Sequence, residues 1–179
     1  MRIVKIALIS AIALIVIFKI YLLLTVISYG AGDISCRVTK IVDGDTLYCV
    51  NTDKKEIKIR LIGIDAPESY KTAKAYKDAE RSGESIETIK QMGDLSKAFI
   101  SSKIKTGDRI TLELDVQTEG KYGRTLAYVY LPDGSMLKEL MVKEGYAQVM
   151  TVSPNVKYQE LFIEAEKDAR DNQRGMWKQ

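Results

Sequence analysis

The sequence predicts a mainly β domain with helices (α+β): a five-stranded barrel with about three helices, preceded by one apolar N-terminal helix. Three observations predict it. Three β-branched runs follow one another, a stretch with helical spacing comes next, and two further alternating runs follow that. Five strands in a 3 + 2 order, with a helix between the third and fourth, is the arrangement of an OB-fold barrel.

Residues 6–29 are an apolar run with Lys19 as the sole charge. At 1.5 Å per residue a helix of that length crosses a hydrocarbon core of ~30 Å. Lys19 is costly there unless its long stem snorkels to an interface. Arg2 and Lys5 precede the run, which places the N-terminus in the cytoplasm and the rest of the chain on the outer face. The competing reading is a cleaved signal peptide, with residues 6–18 as its apolar region and Ser28 and Gly30 at positions −3 and −1; the domain would then be secreted. No polar face recurs at helical spacing, so a buried helix of the soluble domain fits poorly.

Residues 30–33 make a short joint, so the chain divides into an anchor or signal (1–29), a linker (30–35) and a domain (36–179). Strands are expected over 36–42, 46–50 and 57–64, separated by Asp43-Gly44 and the polar residues 51–55. Residues 70–105 carry Ala, Lys, Glu and Ile at helical spacing, with breaks expected at Ser82-Gly83 and Gly93. The last piece would start at Asp94 and put Leu95, Ala98, Phe99 and Ser102 on one face. Period-2 alternation returns over 109–116 and 125–131. Asp133-Gly134 reads as a turn, 136–144 as a helix ended by Gly145, and 156–171 as an amphipathic helix.

Composition then limits the chemistry. Apolar residues are 46% and charged residues 28%, as in an ordinary globular domain. The net charge of +3 comes from Arg2, Lys5 and Lys19; without them 24 cations face 24 acids. Bulk basicity therefore says nothing for nucleic-acid binding, and phosphate recognition would need locally placed cations. There is no histidine, which excludes Ser-His-Asp and Cys-His catalysis and His-rich zinc sites. Two cysteines, Cys36 and Cys49, cannot make a four-thiolate site. Carboxylates, Arg, Lys, Tyr or an oxygen-held metal remain.

Three clusters stand out: Asp43-Gly-Asp-Thr46, Arg60-Leu-Ile-Gly-Ile-Asp-Ala-Pro-Glu68 and Lys121-Tyr-Gly-Arg124. Singly they read as a hairpin turn, a strand exit capping a helix, and a loop. In that order, followed by the near-terminal Trp177, they make the chain resemble the staphylococcal-nuclease (thermonuclease) family from about Cys36 to Trp177. The stretch 121–130 is a close match as well.

That resemblance implies Ca²⁺-dependent hydrolysis of DNA and RNA at the 5′ P–O bond, leaving 3′-phosphate ends. By motif position, Asp45 and Asp65 would be metal ligands and Ala66 would add its carbonyl, where the family often has Thr. Glu68 would orient or deprotonate the attacking water, Arg60 and Arg124 would hold the phosphate, and Asp43 would sit behind the ligands. Lys121 and Tyr122 would touch the nucleotide. The chemistry agrees: two carboxylates, a carbonyl and waters suit Ca²⁺, whereas Mg²⁺ is more demanding in geometry. Guanidinium forks suit phosphate oxygens.

Two departures bear on substrate contact. Where the family often carries nucleotide-contacting tyrosines, this chain has Met150-Thr-Val-Ser153, and residues 70–92 exceed the family's usual loop, as a lid or as a solvated decoration. Cys36 and Cys49 fall on neighbouring strands with the same inward parity, which allows either a disulfide or two buried thiols. The expected partners are DNA or RNA and, through residues 6–29, a membrane; no protein partner is implied and a monomer is expected. The rival readings are a nucleic-acid-binding OB module without catalysis and a displayed structural domain.

Overall fold

The computed structural model describes Lys19 and residues 33–178. The apolar run read as an anchor or signal lies, Lys19 apart, outside the described residues. Among the described residues no helix is long and apolar enough to cross a membrane.

Five strands close a barrel: β1 (Ile34–Ile41), β2 (Thr46–Asn51), β3 (Glu56–Leu61), β5 (Arg109–Glu113) and β7 (Arg124–Tyr130). The first three form an antiparallel meander, and β5 pairs antiparallel with both β1 and β7. Parallel pairing of β3 with β7, with Arg60 opposite Leu126, shuts the ring. Closure removes the open edges that a five-stranded sheet would otherwise present. Alternate residues point inward, so Val38, Leu47, Ile59, Leu112 and Val129 fill the interior. Cys36 and Cys49 join β1 to β2 as a disulfide with Cα atoms 5.7 Å apart.

Helix α1 (Ala73–Ser82) starts at Thr72, whose hydroxyl accepts the Ala75 N–H, and ends at Gly83 in the left-handed region. Helix α2 (Ile86–Lys103) starts at Ser85, which accepts from the Thr88 N–H. Helices α3 (Leu137–Lys143) and α4 (Gln159–Asp171) and a 3₁₀ turn (Gly175–Trp177) complete the domain.

The expectations for the helical stretch need two corrections. Gly93 does not break α2, which runs through it without interruption. A Cβ there would lie 2.3 Å from the Glu68 carbonyl carbon, so this glycine serves close approach between helix and loop, not termination. The buried face of α2 is Ile89, Gly93, Ser96 and Ile100; Leu95, Ala98 and Ser102 are exposed and Phe99 is half-buried. The expected face was one position out of register, because Ser96 and Gly93 are small rather than apolar.

The third strand also stops early. After Leu61 the chain turns at Gly63, and β4 (Ile64–Asp65) pairs instead with β8 (Gln148–Val149). A short hairpin strand, β6 (Glu119–Gly120), precedes β7. Neither β6 nor β8 shows a strand pattern, since each is only two residues long.

Candidate active site

The site forms where the β1–β2 turn, the exit of β3, the β4–α1 segment and the start of β7 meet at one end of the barrel. The Asp43–Thr46 turn is held by its own acids: Asp43 Oδ1 accepts the Asp45 N–H at 3.0 Å, and the Thr46 hydroxyl donates to Asp45 Oδ1 at 2.9 Å. Gly44 is needed for packing. A Cβ there would meet Ala66 Cβ at 2.5 Å and Ser96 Cβ at 2.8 Å. The turn can therefore press against the very segment that carries Asp65, Ala66 and Glu68, and the Ala66 N–H donates to Asp45 Oδ2 at 3.1 Å.

Arg60 bridges the two aspartates. Its Nη2 donates to Asp65 Oδ1 at 3.0 Å, and its Nη1 lies 2.5 Å from Asp45 Oδ2. The second contact is an ion contact without hydrogen-bond geometry, so Nη1 keeps a buried N–H with no acceptor. Such a group is costly unless something accepts from it. Burial pushes the Asp45 carboxyl upward and the nearby Asp43 charge adds to this. Arg60, the Ala66 N–H and the Thr46 hydroxyl pull it down, and the net direction is up.

Arg124 comes from the first residue of β7, and its Nε donates to the Lys121 carbonyl at 3.3 Å. Asp43, Asp45, Arg60, Glu68 and Arg124 line one polar cavity of about 220 Å³. Arg60 and Arg124 also line a neighbouring groove of about 230 Å³ with Lys121, Met150 and Asn155. Tyr122 is 80% exposed beside that loop, with Lys121 Nζ 4.9 Å from its ring centroid. Thus Asp45, Arg60, Asp65, Ala66, Glu68 and Arg124 are brought together. Asp43, expected behind them, instead lines the cavity and is less buried than Asp45, and Lys121 and Tyr122 stand on the adjoining loop.

Lys74, on α1, is a site residue that motif reading missed. Its Nζ donates to the Ala66 carbonyl at 3.1 Å and lies 3.3 Å from Asp65 Oδ2, 3.5 Å from Glu68 Oε1 and 3.1 Å from Asp78 Oδ2. Burial opposes its charge, but Asp65, Asp78 and Glu68 outweigh that and raise its pKa. The spacing of Lys74 to Asp78 is a common helix-surface pair, so nothing local in the sequence marks it out.

The fold and site together define an OB-type barrel with a carboxylate–guanidinium centre at one rim. The model of the staphylococcal nuclease homologue family matches residues 58–179. The thermonuclease of Staphylococcus hyicus is 34% identical over 148 residues, covering 83% of this chain and 78% of that protein. The thermonuclease of Staphylococcus intermedius is 34% identical over 143 residues, covering 80% and 76%. Endonuclease YncB of Bacillus subtilis is 32% identical over 146 residues, covering 80% and 62%. The chain belongs to the staphylococcal nuclease family.

Proposed function

We propose that this protein is a metal-dependent nuclease that hydrolyses phosphodiester bonds of DNA or RNA with the residues of this rim. The observation that carries the reading is the cavity shared by Asp45, Arg60, Glu68 and Arg124, with Asp65 bridged to it through Arg60. Relatives named thermonuclease and endonuclease support it.

Phosphodiester hydrolysis needs an oriented water, donors for the non-bridging oxygens and compensation of the charge that builds on them. The guanidiniums of Arg60, which lies between Asp45 and Asp65, and of Arg124 would supply donors with the fork geometry that a phosphate matches. Glu68 takes the water proton as its oxygen attacks phosphorus. The 5′ P–O bond breaks, the departing 5′ oxygen takes a proton from solvent, and a 3′-phosphate and a 5′-hydroxyl remain.

Among the described residues no three acidic or thiol side chains form a ready-made cage. The donor set is instead two carboxylates and the Ala66 carbonyl, all hard oxygens that already face positive groups. This chemistry fits Ca²⁺ better than Mg²⁺, which demands stricter octahedral geometry. Asp45, Asp65 and the Ala66 carbonyl would hold the ion, which when bound polarises the phosphate and acidifies the water. The apolar run 6–29 with its leading cations supports export, either anchored with the nuclease domain outside or released after cleavage.

The test is cleavage of single- and double-stranded DNA and of RNA by the full chain with Ca²⁺, Mg²⁺ or chelator, beside Glu68→Gln. We expect Ca²⁺-dependent cutting to 3′-phosphates, reduced about 10²–10⁴-fold in the variant. Binding of nucleic acid without cutting under any metal would replace this reading with that of a binding module.

A further inference from the structure

Lys74 contacts the same oxygens that the proposed reading gives to a divalent cation. Its ammonium bonds the Ala66 carbonyl and lies beside Asp65 Oδ2, so two of the three proposed metal donors already serve a positive charge; the third, Asp45, serves Arg60. It also reaches Glu68, the proposed base. An ammonium at these oxygens and a divalent ion beside it repel at that range, so occupancy by one opposes occupancy by the other.

The surroundings of Lys74 suit an alternative position. Asp78 lies one turn along the same helix, 3.1 Å from Nζ, with its side chain 17% exposed. The Lys74 side chain itself is 35% exposed. Rotation of the lysine stem toward Asp78 would free Asp65, Ala66 and Glu68 while its charge stays paired, and α1 would not need to move. The backbone that carries these groups is held firmly: Thr72 caps α1, and Gly93 of α2 lies directly against Glu68. The adjustable part is the side chain.

We propose that Lys74 is a tethered competitor for the metal site, a positioning residue that holds Asp65, the Ala66 carbonyl and Glu68 together and sets the concentration at which a divalent cation can take them. The inference rests on the metal-site reading above. It also gives the extended segment between Glu68 and α2 a role that is neither lid nor decoration: it delivers a cation to the ligand set.

The test measures metal binding directly, by calorimetric titration of the full chain with CaCl₂ in the absence of nucleic acid. Lys74→Met should bind Ca²⁺ about tenfold tighter than the unmodified protein, the scale expected when a like charge within ~4–6 Å is removed. Lys77→Met, which removes an exposed charge one turn away, should stay within about twofold. Lys74→Gln, checked by thermal melting, provides a second variant of different shape and should follow Lys74→Met. If both Lys74 variants bind as the unmodified protein does, or more weakly, while Asp65→Asn abolishes binding, the competitor role is wrong and the metal site stands. If the unmodified protein and Asp65→Asn alike fail to bind, the metal-site reading fails and this inference with it.

Discussion

Two lysines at different places in this domain show how the same side chain takes opposite roles. Lys74 sits half-buried on the rim among Asp65, Glu68 and Asp78, which keep it charged. Lys138, on α3, is completely buried. Its Nζ donates to the Ile62 carbonyl at 2.7 Å and lies 3.2 Å from the Tyr128 ring centroid and 4.3 Å from that of Phe162. Burial pulls its pKa down to about 6. Glu113 and Asp115 act against this, but their oxygens are already engaged by the hydroxyls of Tyr130, Tyr158 and Tyr128. The difference teaches that carboxylates facing a half-buried lysine raise its pKa, whereas full burial lowers it even where a carbonyl and two ring faces favour the ammonium. The rim keeps its lysine among carboxylates that are partly open to solvent. The Lys138 pocket is closed structure.

The largest expected effect separates the two regions by stability. Lys138→Glu would set a carboxylate against ring faces and near Glu113 and Asp115, at a cost of about 3–5 kcal/mol. Lys74→Met should stay within about 1 kcal/mol, as for most partly exposed sites. Urea denaturation of both variants at neutral pH reads the contrast, and equal losses would break the comparison.

Next in size is Gly93→Ala, which places a methyl group against the Glu68 backbone. About 1–3 kcal/mol of overpacking is expected, together with reduced cleavage. Stability lost with activity intact would mean that Glu68 tolerates displacement.

A further contrast is expected in the dependence of stability on pH. Lys138 has a folded pKa of about 6 against an ordinary value of 10.5. Between these values the unfolded chain binds the additional proton, so this group's contribution to stability grows as pH rises through the window and is lost as pH falls toward 6. Lys138→Met should flatten the stability profile of the unmodified protein between about pH 6 and pH 10. Parallel profiles would show that the lysine is not titrating there. The smallest change is expected from Tyr122→Ala. That residue is 80% exposed, so melting should not move, while nucleotide affinity drops by less than about tenfold.

The barrel was legible because strand alternation is a local property: Val38, Leu47, Ile59 and Leu112 announce their inward face by parity alone. The rim residues were legible as motifs, since Asp43–Thr46, Arg60–Glu68 and Lys121–Arg124 are short segments whose order carries the family resemblance. Where the reading of the second helix failed, small residues were the cause. Gly93 looks like a helix breaker and Ser96 like a solvent-facing residue, yet both are buried because another segment lies against them. That segment is distant along the chain, and no local pattern encodes its approach.

By itself the amino-acid sequence determined the strand and helix patterns, the absence of histidine chemistry and the carboxylates and guanidiniums available for work. Those are matters of composition and short-range spacing. Only the tertiary structure decided that Arg60 would span Asp45 and Asp65, that Lys74 would reach Ala66 and Glu68, and that Lys138 would be buried between two rings. Each depends on distances of a few ångströms between segments far apart in the chain, where burial and Coulomb interactions change steeply.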